Sequence, residues 1–261
     1  MNLQLEGRVM AVMGGSAGIG HATALALAAE GATLVVGARD PERLDETVEE
    51  IRALGADVIG VSGDLTTSTA TERLAQEAER AFGAIHGLVC CVGSTPLGSF
   101  DELDDGVWQQ AFDMKFMATV RAIRAVLPTM RQQRDGRVVV LGGNIAQEPT
   151  PWMMTSGAIN SALGNLVSSL GRTYGSEGVG VNCVNTGPVR TARYEGMRAA
   201  VMTRMGLDDD EAVSHIDAMI PDGRVAEPHE VADQVAYLLS PRASHVNGST
   251  VVLDGAQTWA R

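Results

Sequence analysis

Seven short, mostly apolar runs recur along the chain, at 8–13, 33–36, 57–61, 87–91, 137–141, 178–184 and 249–253. Apolar residues follow one another in them rather than alternate, as in strands covered on both faces of a parallel sheet. Between these runs the apolar positions fall at helical spacing over 22–30, 41–54, 67–81, 108–131, 153–174 and 228–239. This alternation predicts one doubly wound Rossmann-type α/β domain over residues 1–261, a parallel seven-stranded sheet with helices on both faces. The departure is 191–223, which is Met-rich and helical in pattern. It is expected to be a lid insertion over the site rather than a second domain.

Composition narrows the partners. The formal charge of −12 argues against nucleic acid or an anionic membrane surface. No apolar run approaches the ~20 residues of a membrane span, and the first apolar stretch lacks the basic flank of a signal peptide. Cys90, Cys91 and Cys183 have no metal-ligand spacing, so no metal is expected and a reduced, cytoplasmic protein is.

The strongest local signal is Gly14-Gly15-Ser16-Ala17-Gly18-Ile19-Gly20, directly after the first strand and opening the first helix. Such glycines let backbone approach a pyrophosphate closely, and the helix N-terminus faces its charge. At the end of the second strand, an acidic residue would bond a ribose 2′-hydroxyl and repel a 2′-phosphate. Ala38 stands there and Arg39 follows, which suits a phosphate dianion and favours NADP(H) over NAD(H). A solvated arginine near Asp40 is the competing reading of Arg39.

Together these residues resemble the short-chain dehydrogenase/reductase family across nearly the whole chain. Gly14, Gly18 and Gly20 match its GxxxGxG turn, and Asp64-Leu65 looks like its adenine-binding pair. Cys90-Cys91-Val92-Gly93 takes the place of its Asn-Asn-Ala-Gly motif, which carries Cys91 and Gly93 into the cofactor set. Gly187-Pro188-Val189-Arg190-Thr191 resembles the turn that holds the nicotinamide carboxamide, through Pro188, Val189 and Thr191. The resemblance also implies a homo-oligomer, a tetramer or a dimer.

It further implies a catalytic Asn, Ser, Tyr and Lys, and none stands where expected. Ser156 occupies the tyrosine position, Asn160 the lysine, Gly143 the serine and Lys115 the helix asparagine. The sequence is thus read as a divergent member lacking the tetrad. A positioned acid is worth roughly 10²–10⁴ in rate, so an unactivated ketone is a poor substrate here. Ser156 and Asn160 lie one helical turn apart and face one way, toward the nicotinamide ribose in the family's geometry. The Lys115 ammonium is expected to enter the space of the missing lysine, with snorkelling to solvent as the alternative.

Tyr194 in the insertion is a candidate replacement acid delivered on closure, and His215 has similar standing. The other reading of each is packing or exposure. Trp152, Met153 and Met154 predict an apolar, aromatic substrate wall, with core packing as their alternative. Three functions stay open. The first is an atypical NADP(H)-dependent oxidoreductase acting on an activated, conjugated or aromatic carbonyl-like small molecule. The others are a non-redox cyclase, lyase or isomerase, and a redox-dead NADP(H)-binding sensor.

Overall fold

The computed structural model describes residues 1–259. Its centre is a seven-stranded, all-parallel sheet in the order β3-β2-β1-β4-β5-β6-β7. The strands are β1 (Val9–Met13), β2 (Thr33–Ala38), β3 (Val58–Ser62), β4 (Gly87–Cys90), β5 (Gly136–Gly143), β6 (Val179–Thr186) and β7 (Thr250–Leu253). Side chains alternate between faces, and both faces of the central strands are covered, so those strands read as mostly apolar on both sides, while the edge strands β3 and β7 are partly exposed. Met10 and Val12 join Leu34, Val36, Val139 and Val184 in one core. Val9, Ala11 and Met13 join Val35, Leu88, Val138 and Val181 in the other.

The first core is closed by α1 (Gly18–Ala29), α2 (Pro41–Ala53) and α9 (Pro228–Leu239). The second is closed by α3 (Ser68–Phe82), α5 (Ala118–Gln133) and α6 (Met154–Tyr174). Asp40 caps α2 and Thr67 caps α3 through side-chain oxygens, which satisfies a free N–H at each start. His86, half-buried between sheet and solvent, accepts the Val9 N–H at 3.0 Å. Burial, with the Arg8 charge second, holds its pKa below the usual histidine value, so it is a structural acceptor.

Two stretches depart from the sequence pattern. The single helix expected over 108–131 is α4 (Asp105–Ala111), then a π-helical turn (Phe112–Met117), then α5. The wider turn admits one extra residue without breaking the apolar period, which hides it from pattern reading. The insertion contains α7 (Ala192–Met205) and α8 (Asp209–Ala218). These pack on each other through Tyr194, Val201, Ala212, Ile216, Ile220 and Val225, a small core of their own. Among the described residues, no helix is long and apolar enough to cross a membrane.

Candidate active site

The chain reverses direction across the sheet between β1 and β4, and in such sheets the crevice outside the strand ends at that point receives the ligand. The glycine turn fills it. Gly14 has φ +76°, and a Cβ there would sit 2.5 Å from the Cys91 carbonyl oxygen. A Cβ on Gly20 would run into the carbonyl of Gly14. A Cβ on Gly18 would lie 3.2 Å from the Thr191 side chain, so the turn and the 187–191 segment adjoin. No side chain caps α1 at Ala17, and its first turn carries no acid. The free N–H groups and positive end of α1 are therefore left for an anion, beside half-buried Ser16 and Ile19.

At the tip of β2, Arg39 is exposed and makes no hydrogen bond or ion pair with a described residue. The Asp40 carboxylate is engaged by Arg43 instead, at 3.6 Å, and accepts the Arg43 N–H at 3.2 Å. The structure thus leaves Arg39 solvated but not neutralised by Asp40. Asp64 accepts both the N–H and the hydroxyl of Thr66, at 3.1 and 2.8 Å. Those bonds hold its carboxyl below the usual range. Leu65 is buried beneath it, against Gly37.

Beyond β4 the chain passes under the π-helical turn. Gly93 has φ +97°, and a Cβ there would sit 2.8 Å from the Lys115 Cβ. Lys115 is half-buried, and no described residue accepts a hydrogen bond or ion pair from its ammonium. Burial, with the Arg193 charge second, pulls its pKa down to about 8. The Cys91 thiol is pushed up to about 11 by burial, against the pull of Lys115.

On α6, Ser156 and Asn160 are both buried. Asn160 Nδ2 donates to the Ser156 carbonyl at 2.9 Å and to its hydroxyl at 3.2 Å. Asn160 Oδ1 is buried without a partner. Gly143, at the end of β5, faces this pair: a Cβ there would lie 3.4 Å from Asn160 Nδ2. Of the four positions singled out in the sequence, Gly143, Ser156 and Asn160 meet as one group, while Lys115 packs against Gly93.

After β6, Val189 bridges to Ala226, and the Arg190 N–H donates to the Ala226 carbonyl at 2.9 Å. The buried Val189 N–H donates to no described residue. The Thr191 hydroxyl donates to the Val189 carbonyl at 3.2 Å.

Tyr194 does not stand ready as an acid. Its ring is buried in the α7–α8 core with Arg190 stacked on it at 5.6 Å, and its hydroxyl is enclosed. Burial, with the Asp217 charge second, raises its pKa. Trp152 packs against the same core under Arg204 at 5.5 Å, and its carbonyl accepts the Gly98 N–H. Sequence reasoning missed Arg193, whose guanidinium donates to Ser94 and Thr95 beside Gly93. No motif marks it; its only signal is its place two residues after Thr191.

A cavity of about 620 Å³ lies against β7 and residues 220–230 and shares only Pro188 with the positions singled out in the sequence. We place the site by the strand ends and the glycine turn instead. Among the described residues no group of His, Cys, Asp and Glu has the make-up of a metal site.

A family model described as enoyl-(acyl carrier protein) reductase matches residues 14–258. The chain belongs to the short-chain dehydrogenase/reductase family. It is 30% identical over 250 residues to the NADPH-dependent reductase BacG of Bacillus subtilis, covering 95% of this chain and 96% of that one. L-sorbose reductase from Gluconobacter frateurii, solved with NADPH and L-sorbose, superposes at a TM-score of 0.94, with 27% identity and full coverage of both chains. An NADPH-bound short-chain oxidoreductase from Pseudomonas aeruginosa PAO1, described as containing an atypical catalytic center, superposes at 0.89. It is 28% identical and covers 97% of this chain and 98% of that one.

Proposed function

We propose that this chain is an atypical NADP(H)-dependent oxidoreductase that reduces an activated carbonyl-like small molecule, conjugated or aromatic. The observation that carries the reading is an intact nucleotide cradle beside a reaction corner in which Ser156 and Asn160 bond only to each other. The uncapped α1 N-terminus and the close-approach glycines fit a diphosphate. Arg39, which forms no ion pair with a described residue and acts on Asp64 only through its field, fits a 2′-phosphate, and the spare Val189 N–H fits a carboxamide oxygen. Relatives described as NADPH-dependent or NADPH-bound support the same cofactor. Bound there, the reduced cofactor supplies a hydride.

The protein's own part is to bind and orient. Asn160 Oδ1, buried and unpartnered, is the spare acceptor for a ribose hydroxyl, and the Lys115 ammonium is the free donor for the same sugar. Neither Ser156 nor Gly143 replaces the acid of the family. A serine hydroxyl is a far weaker acid than a lysine-assisted tyrosine, and Gly143 has no hydroxyl to hold a carbonyl. Reduction therefore falls to acceptors whose product anion is delocalised and takes its proton from water. The α7–α8 insertion acts as a lid over this corner, and Trp152 joins it to the loop at Gly98.

The test is NADPH consumption with paired acceptors. Conjugated enones and ortho-quinones are expected to be turned over, while simple ketones react at least about 10²-fold more slowly. Ser156→Ala is expected to change the enone rate little. Equal rates with simple ketones, or a Ser156→Ala enzyme as inactive as one stripped of its acid, contradict the reading.

A further inference from the structure

In a chain with 32 acidic and 20 basic side chains, cations normally find carboxylates. Most arginines of the insertion and its flanks do so. Arg190 pairs with Glu227 at 2.8 Å, Arg198 with Glu195 at 2.6 Å, and Arg224 with Glu230 at 2.7 Å. Arg193 does not. Its guanidinium donates to two neutral hydroxyls, Ser94 Oγ and Thr95 Oγ1, the latter at 3.2 Å. Those residues follow Gly93, which packs against Lys115, and Lys115 also has no carboxylate partner among the described residues. Arg193 also lies in the first turn of α7, the positive end of the helix, where a cation is disfavoured. Helix stability therefore does not account for its place.

We propose that Arg193, with Lys115 beside it, holds an anionic group of the substrate, a carboxylate or its equivalent, at the mouth of the site. The Arg193 guanidinium binds this short loop and the Lys115 stem packs against it from a different element, and no described carboxylate pairs with either cation. The Arg193 charge is the second cause of the lowered Lys115 pKa, after burial, in keeping with two cations set near one another. An anion between them removes that repulsion and, with the planar guanidinium, fixes one end of the acceptor. On the oxidoreductase reading, the uncapped α1 N-terminus is left for the other anion of the site, the cofactor diphosphate.

What the pocket turns over rests on the oxidoreductase reading above; what it binds does not. Calorimetry on the protein saturated with NADP⁺ separates the two, using benzoate and trans-cinnamate against benzamide and trans-cinnamamide. The acids are expected to bind at least about tenfold more tightly than their amides, the worth of one charge-assisted contact. Arg193→Gln, which keeps a donor for Ser94 and Thr95, removes the preference, and Arg193→Lys retains part of it. NADP⁺ affinity stays within about twofold in both variants. The proposal is overturned if acids and amides bind alike, if neither acid binds, or if the preference survives in Arg193→Gln. A tenfold or so loss of NADP⁺ affinity in Arg193→Gln, with the acid preference intact, overturns it too and assigns Arg193 to the cofactor diphosphate. Acid preference without turnover of any acceptor sustains the anion site and removes the reductase reading.

Discussion

Lys115→Met is expected to lower kcat/KM for an activated acceptor by roughly 10- to 100-fold, because it removes a charge-assisted contact from a partly desolvated site. The variant keeps the aliphatic stem that packs over Gly93, so the π-helical turn and the fold should survive. The pH profile makes the test specific. With a pKa of about 8, set mainly by burial, Lys115 is an ammonium below that value and neutral above it. A rate that depends on the ammonium is therefore full at neutral pH and falls as pH rises through about 8. The methionine variant loses that alkaline limb. A wild-type profile flat across this range, or a variant that retains both the rate and the limb, removes Lys115 from the site.

Arg39→Ala is expected to weaken NADPH binding by roughly 10- to 100-fold and to leave NADH nearly unchanged, because the proposed partner of this side chain is the 2′-phosphate that NADH lacks. Arg39 is exposed, so the effect is also screened and should shrink as salt rises. Wild-type protein is expected to prefer NADPH. Equal affinities for the two cofactors in wild type contradict the assignment, whatever the variant does.

Much of this arrangement was legible in the sequence, for physical reasons. Doubly covered strands must be apolar throughout, so all seven strands of the sheet announced themselves. A glycine turn between strand and helix has few other uses, and it lies where the strand order reverses, packed against Cys91 and Thr191. The Ser156–Asn160 pair followed from a separation of one helical turn. What stayed hidden depends on contacts between distant residues. The π-helical turn at Phe112–Met117 leaves the apolar spacing almost untouched, so it could not be read from periodicity. Tyr194 looked available because it follows Thr191, yet the α7–α8 core claims its ring. Arg193 meets Ser94 and Thr95 across nearly a hundred residues, and nothing local marks that meeting. The positions of Ala38 and Arg39 were plain, but only the structure shows that Arg43 occupies Asp40 and that Arg39 forms no ion pair with a described residue.

Whether this corner transfers hydride at all is decided by following the atom. The protein is incubated with NADPH deuterated at the transferred position and an activated acceptor such as a conjugated enone or an ortho-quinone, and the products are read by mass spectrometry. The account predicts deuterium in the reduced product of an enone, and for both acceptor types a primary kinetic isotope effect on NADPH consumption. Firm NADPH binding with no label in any enone product and no NADPH consumption contradicts it. That result shifts the chain to a non-redox enzyme or a sensor built on the same cradle.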